Sequence, residues 1–286
     1  MGERAVESRA AAGHAGVGEQ VLDGYRLLRA VQVNGCKALY EAVAPDSTQL
    51  AIRAVCLDAP RARHRPLDNE YASLRRLAGF CAVPAVVGVG RTDTERYMAT
   101  TWAPGSHLDR NLRKTLDLAP APPLPAIAET FAALHARGVV HADVNRHNIL
   151  LTSDQEVRII DFENSRRLED DTPLALRHSG ITICFAAPEA RAALHDQDKA
   201  PAVPTPAWDQ YALAALFYYQ LTGHAHRMHP DKPTSDRSTA FPLHGPAAAR
   251  WPGLPAVLAT ALAHDPADRH PSTAAFAHAL HRAMGG

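Results

Sequence analysis

Hydrophobic and polar residues alternate in short runs along the first third of the chain, a pattern typical of β-strands. Three such runs, separated by an Asn34-Gly35 turn signal and by Pro45-Asp46-Ser47, predict consecutive antiparallel strands: Tyr25 to Val33, Ala38 to Val43 and Gln49 to Cys56. A helical repeat from Leu67 to Leu77 comes next. Two more extended runs follow, Ala85 to Val89 and Arg96 to Thr101.

The rest of the chain has mainly the repeat of amphipathic helices. Helices are predicted from Leu124 to Leu134, Asp209 to Thr222, Pro255 to Ala263 and Ser272 to Met284, with a small hairpin at Asn148 to Leu151 and Val157 to Phe162. The stretch from Gly223 to Pro252 is predicted to be a loop. A strand-rich front with one helix, before a larger helical body, predicts an α+β protein. Its parts would be a flexible tail over 1–22, a small lobe over 23–103 and a helical lobe over 104–286.

Composition narrows the class of protein without naming a function. The 286 residues include 30 Lys+Arg and 30 Asp+Glu, and this balance argues against a nucleic-acid binder. With no apolar run of 18 residues and no signal-peptide pattern at Met1, we expect a cytoplasmic protein without a membrane span. The four cysteines form no CxxC pair, which favours free thiols over a zinc site or a disulfide framework.

Residues able to carry chemistry are concentrated between positions 140 and 163. His141-Ala142-Asp143-Val144-Asn145-Arg146-His147-Asn148 is followed, 13 residues after Asn148, by Asp161-Phe162-Glu163. Two acidic groups and an amide at turns beside a hairpin can hold Mg²⁺ through oxygen and can orient an attacking hydroxyl. Phosphoryl transfer needs both tasks, so the spacing indicates that reaction.

This combination resembles the protein-kinase superfamily, specifically the bacterial relatives of eukaryotic Ser/Thr kinases, over nearly the whole chain from Tyr25. Three later motifs stand in the family's order. Ala187-Pro188-Glu189 resembles the end of the activation segment, Asp209 the residue that braces the catalytic loop, and Arg269 the arginine that pairs with the glutamate. The resemblance implies a two-lobed protein-kinase-like fold with ATP and Mg²⁺ bound between the lobes.

The resemblance also implies roles for individual residues. Asp143 matches the catalytic aspartate that orients the substrate hydroxyl, and Asn148 and Asp161 match the Mg²⁺ ligands. Glu163 replaces the glycine of Asp-Phe-Gly and is a candidate ligand for a second Mg²⁺. Thr101 to Ala103 match the hinge whose backbone binds adenine.

The phosphate-binding elements depart from the family pattern. Arg53 stands in Leu50-Ala51-Ile52-Arg53 where the family has lysine, and Glu70 lies 17 residues later, at the family's usual separation. Arginine offers a planar fork and is no equivalent of an ammonium. Lys37 takes the third glycine position of the Gly-rich loop, a position at which with-no-lysine kinases carry their lysine. We therefore expect Lys37 to contact the phosphates while Arg53 supports Glu70.

Two departures lie in the catalytic loop. Ala142 replaces the arginine that clamps a phosphorylated activation loop, so we expect weak dependence on such phosphorylation. Asn145 replaces the lysine that touches the γ-phosphate in Ser/Thr kinases.

Three functions stay open on the sequence. The first is transfer of the γ-phosphate to Ser/Thr of a protein or peptide. Because Asp-Phe-Glu is similar to the kinase domains of lanthionine synthetases, a precursor peptide of a modified natural product is one candidate acceptor. The second is a pseudokinase that binds nucleotide or acts as a scaffold, and the third is a small-molecule, sugar-type kinase. Glu189 and Arg269 favour a protein or peptide partner over a small molecule.

Overall fold

The computed structural model describes residues 21–22, 24–108, 123–170, 184–195, 203–224 and 243–285. The chain divides into two compact units. The first comprises residues 1–103 together with Asp161–Glu163, and the second comprises 104–160 and 164–286. The sequence prediction also ends the small lobe at residue 103, but it places Asp161–Glu163 in the helical lobe. The predicted domain boundaries stay a prediction.

The first unit is built on a six-stranded antiparallel sheet in the order β1-β2-β3-β4-β6-β5. Its strands are β1 (Val21–Leu22), β2 (Tyr25–Asn34), β3 (Lys37–Val43), β4 (Gln49–Cys56), β5 (Val86–Arg91) and β6 (Glu95–Thr101). The five predicted strands are confirmed to within three residues at each end. Of the predicted tail, residues 1–20 lie outside the described residues, while Val21 and Leu22 pair with β2.

The turn between β2 and β3 fixes the two faces of this sheet. Gly35 takes a φ of +59° there, which glycine adopts without steric cost, and Asn34 pairs with Lys37 across the turn. Lys37 opposes Val55, and Leu39 opposes Arg53. Since side chains alternate along a strand, Lys37 and Arg53 point to one face of the sheet. The opposite face forms the apolar core of the unit, which includes Leu27, Ala38, Tyr40, Ile52, Ala54 and Tyr97.

One helix, α1 (Arg61–Arg76), packs against the sheet. It begins six residues before the predicted start at Leu67, because its first turns (Arg-Ala-Arg-His-Arg-Pro) carry no apolar repeat. Its buried side chains are Leu67, Glu70, Ser73 and Leu74. Glu70 is therefore a carboxylate on the apolar face of a helix, which requires a partner.

The second unit is mainly helical. Its helices are α2 (Leu124–Ala136), α3 (Pro188–His195), α4 (Pro206–Thr222), α5 (Pro246–Arg250), α6 (Leu254–Ala261) and α7 (Thr273–Met284), with a 3₁₀ turn at Pro266–Asp268. Short strands are β7 (Ser106–His107), β8 (Val139–Val140), β9 (Ile149–Leu151), β10 (Val157–Ile159) and β11 (Arg166–Arg167). Within the described ranges, no helix has the length and apolarity needed to cross a membrane.

The four helices predicted in this unit and the β9–β10 hairpin are confirmed, whereas α3 and α5 were not predicted. The prediction of a loop from Gly223 to Pro252 is wrong at α5, and residues 225–242 lie outside the described residues. Helix α4 is buried on nearly every side, with twelve buried residues among its seventeen. It forms the centre on which the catalytic-loop residues are fixed.

Candidate active site

Arg53 joins two acidic residues in the first unit. Its Nε lies 3.0 Å from a carboxylate oxygen of Glu70, and its Nη2 lies 3.3 Å from Oδ1 of Asp161. Glu70 is only 4% exposed and also accepts a hydrogen bond from the backbone N–H of Phe162, at 3.3 Å. The structure thus contains the expected ion pair between Arg53 and Glu70, while the functional roles of the two residues stay a prediction. The guanidinium fork allows one side chain to contact both carboxylates.

Lys37 contacts a different carboxylate. Its Nζ donates to Glu163 at 2.9 Å, and about a third of the lysine side chain and a quarter of the glutamate side chain remain exposed. Lys37 comes from the β2–β3 hairpin, and Glu163 lies 126 residues further along the chain. These two cations thus have different partners, with Arg53 on Glu70 and Asp161, and Lys37 on Glu163.

Burial and neighbouring charges together shift the pKa values of Glu70 and Arg53. Burial raises the pKa of Glu70 from 4.5 to about 7, Arg53 opposes that shift, and the charges of Asp161 and Glu163 add to it. Burial lowers the pKa of Arg53, but Glu70, Asp161 and Glu163 more than offset it, so the net direction is upward. Arg53 is therefore charged throughout the working range of pH, while Glu70 titrates near neutrality.

The Asp161–Glu163 segment has an unusual backbone that is held from α1. Asp161 has a φ of +68°, in a region that side chains other than glycine rarely occupy and that is concentrated at functional sites. The amide of Asn69 donates to the carbonyl oxygens of Phe162, at 3.5 Å, and Glu163, at 3.1 Å. Asn69 is a positioning residue that the sequence analysis missed. Its partners lie more than ninety residues away, and no local pattern marks it.

The predicted hinge is the last part of the first unit. The N–H of Thr101 donates to Ala85 O and the N–H of Trp102 donates to Gln49 O, both at 2.9 Å. These bonds fix the backbone that leads to Ala103. Binding of adenine by Thr101 and Ala103 stays a prediction.

The second unit holds the other half of the predicted site. Asp143 is 8% exposed, and the amide of Asn148 donates to its backbone carbonyl, at 2.9 Å, and to its Oδ2, at 3.3 Å. Asn145 donates to the same carbonyl, at 3.2 Å, and accepts from the N–H of His147, at 2.8 Å. Asn145 therefore stabilises the loop internally, in place of the lysine of Ser/Thr kinases.

Asp209, from the buried helix α4, braces the segment before Asp143. Its two carboxylate oxygens accept from the backbone N–H groups of His141, at 2.7 Å, and Ala142, at 2.8 Å, and from His135 Nε2, at 2.9 Å. Ala142 has a φ of +64°. His141 lies 3.0 Å from Ile160 O and accepts from the N–H of Asp143 at 3.3 Å, so it braces the loop as predicted.

The predicted pair Glu189–Arg269 is confirmed. Two nitrogens of the fully buried guanidinium donate to the two oxygens of Glu189, each at 2.8 Å. Arg269 also donates to the carbonyls of Ala207, Ala263 and His264. This bidentate pair ties α3 to the turn that follows α6.

The acidic and amide residues present suit Mg²⁺ in chemistry. Oδ1 of Asp161 is buried and contacts Arg53 as an ion pair without hydrogen-bond geometry, so its lone pairs are not taken by a donor. The amide nitrogen of Asn148 donates to Asp143, so its oxygen is the atom that could bind a metal ion. Carboxylate and amide oxygens are what Mg²⁺ requires. Among the described residues, no three His, Cys, Asp or Glu side chains converge on a metal-binding point.

Comparison with known proteins decides the family. The family model for the protein kinase domain matches residues 38–250, which is most of the chain. The chain belongs to the protein kinase family. Its two units are thus the N-lobe and C-lobe of a kinase domain.

The curated relatives of this kinase domain include mycobacterial Ser/Thr-protein kinases. It is 28% identical to PknE of Mycobacterium tuberculosis over 271 residues (91% of this chain, 46% of PknE) and 29% identical to PknJ over 286 residues (93% and 46%). It is 31% identical to PknH over 220 residues (73% and 34%). The chain thus spans less than half the length of these relatives. Among solved structures, the kinase domain of Mycobacterium tuberculosis PknI matches with a TM-score of 0.57 at 22% identity, covering 96% of this chain and 100% of that one. That match confirms the protein-kinase-like fold.

Proposed function

We propose that this kinase domain transfers the γ-phosphate of ATP to Ser or Thr hydroxyls of a protein or peptide. The observation that carries the proposal is that Arg53 and Lys37 have different partners. Arg53 binds Glu70 and Asp161, while the Nζ of Lys37 binds Glu163 at 2.9 Å and no other acid among the described residues. Arg53 is thus committed to holding α1, and Lys37 is the cation that can turn to a phosphate.

Lys37 suits the role of the phosphate-binding residue. Its ammonium is a compact charge on a flexible stem, and its ion pair is partly exposed, so exchanging one anion for another costs little. An incoming triphosphate replaces Glu163 as the anion that faces Lys37. Glu163, no longer paired with Lys37, would then be able to help hold Mg²⁺.

Asp143 acts as the residue that accepts or orients the proton of the acceptor hydroxyl. Its burial and its bond from Asn148 hold the carboxylate in one orientation. Asn148 and Asp161, with Glu163, are the residues that would hold Mg²⁺, which neutralises charge on the phosphates when bound. Thr101 and Ala103 would bind the adenine through their backbone.

A protein or peptide acceptor is favoured over a small molecule by the Glu189–Arg269 pair. This bidentate contact fixes the start of α3, directly after the activation segment. The relatives with similar sequences are protein kinases by name. The precursor-peptide acceptor stays a prediction from the Asp-Phe-Glu motif.

The test is phosphate transfer from labelled ATP with Mg²⁺ to a panel of Ser/Thr peptides and to the domain itself. Wild type is compared with Asp143→Ala, Lys37→Ala and Arg53→Ala. Arg29→Ala is the matched control, since Arg29 forms an ion pair with Glu41 on the same hairpin but is 61% exposed. We expect Asp143→Ala and Lys37→Ala to lose at least a hundredfold in kcat/KM and Arg29→Ala to keep wild-type turnover, because orienting and phosphate-binding groups contribute about 10²–10⁴-fold.

Three results would contradict parts of this scheme. Equal transfer by wild type and Asp143→Ala on every acceptor contradicts the proposal that the domain is an active enzyme and favours the pseudokinase. A rise in melting temperature with Mg-ATP then identifies a nucleotide-binding scaffold. Full turnover by Lys37→Ala together with an inactive Arg53→Ala returns the phosphate contact to Arg53. Transfer to a sugar but to no peptide favours the small-molecule kinase.

A further inference from the structure

Two of the four cysteines face each other at the tip of the β2–β3 hairpin. Strands β3 and β4 pair with Lys37 opposite Val55 and Ala38 opposite Ala54. Continuing this register by one residue sets Cys36, in the turn before β3, opposite Cys56 at the end of β4. The backbone confirms this register, because the N–H of Cys56 donates to the carbonyl oxygen of Cys36 at 2.9 Å. Both residues are thiols in the structure.

The geometry of this pair suits a disulfide. Directly opposed residues that share a backbone hydrogen bond in an antiparallel pair have Cα atoms about 5.5 Å apart. Disulfides span Cα separations of roughly 4.4–6.8 Å. Opposed side chains also leave the sheet on the same face, here the face that carries Ala38 and Ala54. The separation expected from this register is therefore one that a disulfide can span.

The surroundings give the two thiols different roles. Cys36 is partly exposed, next to Gly35 at the turn, whereas Cys56 is 5% exposed at the end of β4. Burial and the neighbouring carboxylate of Glu95 raise the pKa of the Cys56 thiol, which disfavours its thiolate. A small oxidant therefore reaches Cys36 first, and Cys56 stands directly opposite the oxidised sulfur.

We propose that Cys36 and Cys56 are a redox pair, which closes into a reversible disulfide when the kinase domain meets a peroxide. The Cys36 thiolate attacks one peroxide oxygen, the O–O bond breaks, and a sulfenic acid forms with release of hydroxide. The Cys56 sulfur then attacks the sulfenic sulfur and forms the S–S bond. The hydroxyl leaves with the Cys56 proton as water. Two thiols are oxidised by two electrons, and hydrogen peroxide is reduced to two molecules of water.

The cross-link acts on the residue next to it. Lys37 follows Cys36 directly, and its side chain leaves the opposite face of β3. A bond from Cys36 to Cys56 fixes the backbone of the hairpin tip to the end of β4 and restricts the movement of Lys37. Reduced phosphate transfer by the oxidised domain is the expected consequence, and this consequence alone rests on the proposed function.

The disulfide is tested on the whole chain without any activity assay. Reduced protein is treated with equimolar hydrogen peroxide, digested without reductant and mapped by mass spectrometry. We expect a linked peptide pair containing Cys36 and Cys56, loss of two of the four titratable thiols, and reversal by a dithiol reductant. The link disappears in Cys36→Ser and in Cys56→Ala, which keeps an apolar side chain at the buried position. It persists in the control variants Cys81→Ser and Cys184→Ser, whose cysteines are exposed.

The proposal is overturned if the links found join Cys81 or Cys184, or join two molecules. It is also overturned if Cys36 reaches the sulfinic acid as fast in wild type as in Cys56→Ala, because a resolving thiol would have intercepted the sulfenic acid. Phosphate transfer is then compared before and after oxidation. Unchanged transfer with the disulfide formed contradicts only the effect on Lys37, and an inactive reduced domain contradicts the proposed function without touching the disulfide.

Discussion

Replacement of Asp209 by asparagine should destabilise the catalytic loop by about 3 kcal/mol. The Asp209 carboxylate is 1% exposed and takes three hydrogen bonds, two on Oδ2 (from His141 N–H and His135) and one on Oδ1 (from Ala142 N–H). Asparagine keeps one acceptor oxygen, which best occupies the Oδ2 position. Its NH₂ group then faces the N–H of Ala142, and two donors meet.

The magnitude follows from these contacts. Leaving the Ala142 N–H buried without an acceptor costs about 1–3 kcal/mol, and the two remaining bonds lose the charge that makes them worth about 1.5–3 kcal/mol each. Part of that loss is recovered because neutral bonds remain, which leaves about 3 kcal/mol. Ala142 also has a φ of +64°, a conformation that persists only while its surroundings enforce it. The change should therefore reach Asp143, the next residue.

Two measurements check this reasoning. The free energy of unfolding of Asp209→Asn is compared with that of wild type by urea denaturation, with Asp154→Asn as the control, since Asp154 lies in an exposed turn of the same lobe. Hydrogen exchange then localises the effect, and the amides of His141 and Ala142 should exchange at least tenfold faster. A loss of stability under about 0.5 kcal/mol, the range of ordinary surface substitutions, would refute the account. So would unchanged exchange at those two amides.

Three further predictions concern other contacts. Arg269→Ala should lower the free energy of unfolding by about 3–5 kcal/mol, because Glu189 and three carbonyl groups lose the guanidinium that now donates to them. Denaturant unfolding measures this loss, and Glu189→Gln is the partner variant for which a smaller loss is expected. Gly90→Ala should lower the free energy of unfolding by about 1–3 kcal/mol, since the added Cβ would overlap the buried Tyr97 ring. The melting temperature should fall accordingly. Gly253→Ala is the control and should leave it unchanged, because its Cβ makes only an ordinary contact. Because the pKa of Glu70 is raised, its stabilising contribution is present below pH 4.5 and is lost as the pH rises through about 7. The melting temperature of wild type, measured relative to that of Glu70→Gln, should therefore fall between about pH 5 and pH 8. A difference that rises or stays constant over this range would contradict the shift.

The strands of the N-lobe and most helices of the C-lobe could be predicted because their signals are local. The Asn34-Gly35 turn predicted the hairpin that carries Lys37, and the apolar repeat from Leu124 to Leu134 predicted α2. The start of α1 at Arg61 could not be predicted in this way, because its first six residues carry no apolar repeat and include Pro66. Packing of Leu67 and Leu74 stabilises the helix, and this stability allows the helix to extend back to Arg61.

The site was predictable in its residue types and less so in its pairing. Motif order and family resemblance selected Asp143, Asn148 and Asp161 as candidates, and their roles stay predictions. The contact of Lys37 with Glu163 and the role of Asn69 join residues about a hundred positions apart, and one sequence carries no local signal for such contacts. The positive φ of Ala142 was equally invisible, since alanine is not a residue that marks this conformation.

The two departures from the kinase pattern in the N-lobe compensate each other in charge. The family pattern sets one lysine against two carboxylates, the helix glutamate and the aspartate of Asp-Phe-Gly, with a formal charge of minus one. Here Lys37 and Arg53 face Glu70, Asp161 and Glu163, so an added cation and an added carboxylate leave the same formal charge. Either change alone would alter by one unit the charge that Mg²⁺ and the phosphates meet, and at short range in a partly buried site that difference is worth several kcal/mol. Lys37 and Glu163 are therefore best understood as one coupled substitution, which keeps the formal charge of the site and, under the proposed function, transfers the phosphate contact from β4 to the hairpin.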